Sequence, residues 1–436
     1  MLRRSLTTLS LVFVIYFNVS GGAFTLEGLV ADTGPGLALA MLVVIPIVWS
    51  LPEILIIGEL ASMLPEEGGY YRWVRRAFGP FWAFQNGWYT WLYSLVDMAI
   101  YPAMLNQYLS WFVPGLSQGA RWAVALVMIW GAAGINLRGA FPVGRVSIII
   151  GSFILGAFAL VAVFAVPHVA HAPWQPMLKP GQGLSAGLAV GLSTALWNYF
   201  GWDNASTVGG EVVDAGRTYP RALAFALPLV MLGYLVPVIP ALGATDWTTW
   251  TEGGWPAIVR DATGAAGAVL APLIAIAGML SALALFNALL LVYTRIPMTM
   301  SEDGLLPKFL GRTDARGTPV VAIVLSATIY SAFSLLSFGH LIVADAIFYA
   351  AAVMLEFASL VYFRAREPQL RGSFRIPLGT RGVALLAFLP FLVFLSVIVI
   401  SFQDGEYGFA SAASAVGAMA FGGPWYFLVR QLQEKL

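Results

Sequence analysis

The chain contains no cysteine. That excludes a disulfide framework, a thiol nucleophile and any Cys-based metal site. Charge is scarce as well: Asp, Glu, Lys and Arg make up 10% of 436 residues, against about 25% in soluble domains. With a net charge of +1 there is no dense basic patch, which argues against a nucleic-acid partner. Histidine is nearly absent. His168, His171 and His340 fall in expected outer loops with no acid at ligand spacing, so no metal is expected. No Walker loop, Rossmann fingerprint or nucleophile elbow occurs. These absences argue against an ATP-driven pump, an intramembrane hydrolase or any organic cofactor.

Apolar residues fill the space that charge leaves. They make up 59% of the chain, where soluble domains have about 45–50%. About twelve stretches are long enough for a ~30 Å hydrocarbon core. They lie near 6–31, 36–62, 80–112, 121–138, 145–166, 186–212, 221–244, 265–296, 319–338, 341–363, 382–402 and 409–430. The run after Arg3-Arg4 continues without a small-residue cleavage site and reads as a retained first helix. With the N-terminus inside, all of the 23 Lys and Arg residues except Arg121, Lys179 and Arg260 collect on the cytoplasmic side. That bias predicts both termini in the cytoplasm. The amphipathic stretch Tyr70–Phe78 is expected along the inner surface.

Two of the spans are interrupted. Val19-Ser20-Gly21-Gly22 breaks the first, and Tyr199-Phe200-Gly201-Trp202-Asp203 breaks the sixth. Non-helical backbone inside a bilayer survives where it lines a cavity or binds something. Paired breaks in two halves are a mark of secondary transporters with a midplane site. The third and eighth spans are both long, which matches an inverted repeat of spans 1–5 (residues 1–166) and 6–10 (186–363). Helices 11 and 12 (382–436) then stand outside it. Asn18 and Ser20 can cap the half-helices of span 1, leaving free N–H groups for a substrate carboxylate. Alternatively, Gly21 and Gly22 mark a close helix crossing.

Several acids and aromatics sit deep in these spans. Asp203 has three readings: partner for a substrate ammonium, carrier of a coupled proton, or cap of an inner half-helix beginning near Ala205. In span 3, Tyr89, Tyr93, Asp97 and Tyr101 recur every four residues on one face. Phenols and a carboxylate suit an amine through ion pairing and cation–π contact, although aromatic stripes also serve packing. In span 10, Asp345 is expected near the outer end in solvent, and Glu356 is expected to pair with an arginine such as Arg364. Glu27 is expected to face an outer vestibule. Glu53 and Glu59, six residues apart, point to different faces.

The run Ile15-Tyr16-Phe17-Asn18-Val19-Ser20-Gly21-Gly22-Ala23-Phe24 resembles the first helix of the amino acid–polyamine–organocation superfamily. So do Glu59-Leu60-Ala61 through Pro65-Glu66-Glu67-Gly68-Gly69-Tyr70-Tyr71 to Phe78-Gly79-Pro80, the loop Gly304-Leu305-Leu306-Pro307 with Gly317-Thr318-Pro319, and Arg375-Ile376-Pro377. Within the superfamily, Trp197-Asn198, Trp202-Asp203, Ser206-Thr207 and Gly210-Glu211-Val212 are similar to the polyamine-uptake group. Ala23, Gly28, Phe200 and Gly201 depart from that group's pattern near the expected pocket.

The resemblance implies an all-helical membrane protein of about 12 spans, with a five-plus-five inverted repeat and helices 1 and 6 unwound. It implies alternating-access transport of a polyamine or amino acid across the plasma or inner membrane. Coupling to protons is expected, with sodium and obligate exchange as alternatives; a channel or a non-transporting sensor is the reading from another class. The expected substrate-binding residues are Ser20, Gly21, Gly22, Glu27, Tyr93, Asp97, Trp202 and Asp203. Phe200 and Tyr101 are expected as pocket or gate aromatics, and Asp203 and Glu356 as proton carriers.

Overall fold

The computed structural model describes residues 4–335, 342–401 and 408–434; His340 lies outside them. Helix α1 (Thr8–Val19) stops where the sequence stops supporting it. Gly21 and Gly22 take φ of +74° and +111°, a region that L side chains enter only at a cost. Helix α2 (Leu26–Thr33) resumes after Thr25. Prolines punctuate the next span into α3 (Pro35–Ile45), a π turn at Pro46–Ser50 and α4 (Leu51–Met63). Pro46 lacks an N–H and clashes with the preceding turn, so the ladder widens there.

Helix α5 (Gly69–Phe78) buries Tyr70, Tyr71, Trp73 and Val74 and carries Arg72, Arg75 and Arg76 on its other face. Helix α6 (Pro80–Leu109) has 30 residues, about 45 Å. Helices α7 (Gln118–Asn136), α8 (Ala140–Ala165) and α9 (Leu184–Trp197) follow. The remainder comprises α10 (Ala215–Ala244), α11 (Trp255–Ala262), α12 (Gly267–Tyr293), α13 (Arg295–Glu302), α14 (Val320–Phe333), α15 (Ile342–Arg366), α16 (Thr380–Ser401) and α17 (Gly408–Glu434).

The second half of the sixth span departs from expectation. Instead of an α-helix it forms two short 3₁₀ turns, Asn204–Thr207 and Gly209–Glu211. The chain before α5 takes the backbone groups that a helix would have used. Gly68 N–H donates to Thr207 O at 2.8 Å, and Ser5 N–H donates to Glu211 O at 2.8 Å. Gly209 and Gly210 add little helical preference of their own.

Among the described residues, seven helical stretches are long and apolar enough to cross a membrane by length and composition. Three more apolar helices, α1, α9 and α14, are shorter. Helix α12 lies at the centre, packed on α6, α8, α7 and α11, while α15 packs on α6, α16 and α17. The outer surface is apolar, with Val127, Val269 and Leu385 each more than 70% exposed. A soluble protein avoids such a surface, and a lipid-facing one requires it.

Candidate substrate site

The two helix breaks meet. Gly201 has φ +101°, and a Cβ there would overlap the carbonyl of Asn18. Thr25 Oγ1 donates to Asn198 Oδ1 at 3.1 Å, tying one break to the other. Beside this crossing lies a cavity of about 30 Å³. Asn18, Ser20, Tyr93, Asp97, Tyr101, Phe200, Gly201 and Asn204 face it, joined by Trp197, Tyr293, Asp345 and Tyr349. No Lys, Arg or His lines it.

Asp97 falls near the middle of α6 and is buried. It accepts from Tyr101 Oη at 2.7 Å and from Tyr293 Oη at 2.8 Å. Tyr93 Oη donates to Asn204 Oδ1 at 2.9 Å. Phe200 stacks on Tyr349 with ring centroids 4.4 Å apart. Asp345, expected in solvent, is only 3% exposed and shares the cavity with Asp97. The cause is packing: the first turns of α15 lie against α6 and α9, so they stay covered. Its Oδ1 has no hydrogen-bond partner among the described residues.

Asp203 is buried but does not face this cavity. It sits behind Tyr349, whose hydroxyl lies 2.6 Å from both Asp203 Oδ1 and Glu53 Oε1. The Asp203 side chain makes no cap bond of full hydrogen-bond geometry to the following turn; its Oδ1 meets Tyr349. Glu356 is fully buried nearby and faces Asp203. It does not pair with Arg364. The two are eight residues apart on one helix, about 12 Å along its axis. Arg364 instead bonds Glu59 and the carbonyl of Leu378, and Asn86 Nδ2 approaches Glu356 Oε1 at 3.5 Å.

The remaining expected residues serve the frame. Gly21 and Gly22 are spaces as well as bends: a Cβ would overlap Ser281 and Leu285 at Gly21 and meet Ile154 at 3.0 Å at Gly22. Gly22 N–H is taken by Ser20 Oγ at 3.1 Å, and Ser281 Oγ donates to Gly21 O at 2.6 Å. The Asn18 side chain forms no cap. Glu27 is fully buried and holds the loop before α11, accepting from Tyr108 Oη at 3.0 Å and Gly253 N–H at 2.8 Å. Gly253, at φ +74°, brings that N–H within reach. Trp202 is buried with its carbonyl bonded to Tyr219 Oη at 3.1 Å, away from the cavity.

At the C-terminal end of α6 opens a vestibule of about 690 Å³, lined by Thr25, Asp32, Gln107, Arg121 and Glu252 among others. Trp197 lines both the vestibule and the small cavity, so its indole separates them.

A model of the family described as amino acid permease matches residues 6–421. The chain belongs to the amino acid permease family. A polyamine transporter of Oryza sativa subsp. japonica, PUT1, is 35% identical over 422 residues, covering 96% of this chain and 77% of that protein. The polyamine transporter RMV1 of Arabidopsis thaliana is 34% identical, covering 95% and 84%. The branched-chain amino acid permease BcaP of Lactococcus lactis is 26% identical, covering 74% and 76%. The permease is accordingly a multi-pass membrane transporter and not an enzyme.

A group of ion pairs gathers around α5 and α13. Arg295 is fully buried and reaches Glu211 at 2.5 Å and Glu67 at 3.6 Å. Arg72 and Arg75 both pair with Asp303, at 2.7 and 3.0 Å. Arg76 pairs with Glu367. Burial, then the nearby Glu211 charge, pushes Glu67 up to about 8 against the pull of Arg295. These pairs tie α5 and the break segment to the two ends of α13.

Sequence reasoning gave neither Tyr349 nor Glu53 a role, and it misplaced Asp345. The i, i+4 spacing of Asp345 and Tyr349 was the available signal. Tyr293 carried none, since it lies at the end of a uniformly apolar helix.

Proposed function

We propose that the permease takes up polyamines by alternating access, with the cavity beside the two breaks as the amine site. The observation that carries this reading is an aromatic cavity holding the carboxyls of Asp97 and Asp345 and lined by no Lys, Arg or His. Two carboxylates among phenols suit an alkylammonium through charge and cation–π contact. An α-amino acid also needs donors for its carboxylate. The Gly22 N–H that would supply one is already bound by Ser20, which favours an amine over an amino acid. The names of the relatives from rice and Arabidopsis support the same class.

In this reading residues 1–166 and 186–363 form five-plus-five inverted repeats of a twelve-span bundle, with 382–436 outside them. Both termini face the cytoplasm of a plasma or inner membrane, and the vestibule faces outward. The cavity, with about one water's share of volume, is then a contracted state that opens when Trp197 and Phe200 move. Uptake is coupled to protons, with Asp203 and Glu356 among the buried acids available for them.

The test is equilibrium binding to the purified protein with a diamine, a triamine and neutral and cationic amino acids. Binding of the amines in preference to amino acids is expected. Binding of a neutral amino acid with no amine bound would overturn the reading. For orientation, single cysteines at Arg75, Arg316 and Lys179 should label from inside, inside and outside. Outside labelling at position 75 or 316 would reverse the assignment.

A further inference from the structure

Tyr349 presents a counting problem in protons. Its hydroxyl has three partners at 2.6 Å: the N–H of Gly201, Glu53 Oε1 and Asp203 Oδ1. The Gly201 N–H is a donor, so the phenol oxygen accepts there. The phenol has one hydrogen to give. It satisfies one carboxyl oxygen. The other carboxyl oxygen, at the same short distance, has to bring a hydrogen of its own, because two oxygens with none between them repel. One of Glu53 and Asp203 therefore carries a proton and donates it to the phenol.

The surroundings agree with a stored proton. Glu53 comes from α4, Asp203 from the second break, and Tyr349 and Glu356 from α15. Asn86 and Tyr93 of α6, Tyr70 of α5 and Tyr219 of α10 complete the shell. Among the described residues no cation belongs to it: the buried guanidiniums of Arg295 and Arg364 are paired with Glu211, Glu67 and Glu59. Three buried carboxyls in one cluster without a cation do not all ionise.

We propose that Glu53 and Asp203 share one proton through Tyr349, and that this pair is the proton-binding site linked to the cation cavity. The second half rests on the amine reading above. Tyr349 forms part of the cavity wall, so its hydroxyl touches both sites. Loss of the proton breaks the carboxyl O–H bond, leaves a second carboxylate beside the cavity and passes the proton through the phenol to cavity water. Proton and cation binding then oppose each other, so the coupling takes the form of a proton released as the amine binds, and amine affinity rises roughly tenfold from about pH 6 to 8.

Two measurements test the two halves. Infrared difference spectroscopy on the substrate-free protein at neutral pH reads the C=O band of a protonated carboxyl. Other buried carboxyls, Glu67 among them, contribute bands of their own, so the readout is the wild-type-minus-variant difference: intensity should be lost in Glu53→Gln and in Asp203→Asn. No loss in either variant overturns the shared proton. This readout needs no substrate, so it stands or falls independently of the amine site. If Glu53→Gln does not fold, Asp203→Asn decides. Amine affinity measured across the same pH range then tests the linkage: wild type should show the rise and Glu53→Gln a flat profile. A flat wild-type profile beside that loss of intensity overturns the linkage and leaves both the proton and the amine site standing.

Discussion

Replacing Asp97 by asparagine removes one charge and almost no volume. In the resting structure its carboxylate accepts two phenolic hydroxyls, from Tyr101 and Tyr293, and shares a small cavity with Asp345. An amide oxygen can accept one phenol, and the other can rotate to accept from the amide N–H. Two hydrogen bonds weaken from charged to neutral, while the desolvation cost of a buried charge disappears. These changes oppose each other, so unfolding stability should move by no more than about 1 kcal/mol. Binding is different, because nothing compensates the lost attraction for an ammonium group. A charge-assisted contact is worth about 1.5–3 kcal/mol, and about 1.4 kcal/mol is a factor of ten. Amine affinity should therefore fall roughly ten- to a hundredfold, with the melting temperature nearly unchanged. Isothermal titration and thermal unfolding in the same detergent measure the two quantities. Asp97→Asn with affinity within about twofold of wild type would refute the role of this carboxylate. A large loss of stability accompanying the lost affinity would show a structural acid instead.

Two further outcomes follow from the geometry. Gly201→Ala places a Cβ against the Asn18 carbonyl at a φ of +101°, a strain of about 1–3 kcal/mol before any overlap; a lowered melting temperature is expected, and an unchanged one would mean the two breaks are not in contact. Glu67 has its carboxyl raised from 4.5 to about 8, so the folded state holds its proton more tightly than the unfolded chain. Its contribution to stability is complete below about pH 4.5 and is lost as pH rises through about 8. The melting temperature should decline across that window in wild type and be flatter in Glu67→Gln; parallel curves would remove Glu67 as the cause.

Local chemistry decided much of this protein in advance. Scarce charge and long apolar runs require a membrane-embedded helical chain, because backbone in lipid has to satisfy itself. Ser20-Gly21-Gly22 and Gly201 break their helices wherever they are placed, since glycine tolerates dihedrals that other residues do not. The four-residue spacing of Tyr93, Asp97 and Tyr101 puts them on one face by helical geometry alone. Three things were settled only when distant segments met. Asp345 stands near the start of its helix, and whether that turn is wet depends on α6 and α9 lying over it. Glu356 and Arg364 share a helix, yet Arg364 found Glu59, 305 residues away. The second half of the sixth span gave up its helix to hydrogen bonds from Ser5 and Gly68. The junction of Glu53, Asp203 and Tyr349 is the clearest case, because no period or motif relates positions 53, 203 and 349. Sequence sets which groups can ionise and which backbones can bend. Only tertiary packing decides which carboxyls must share a buried space without a cation, and therefore where a proton has to stay.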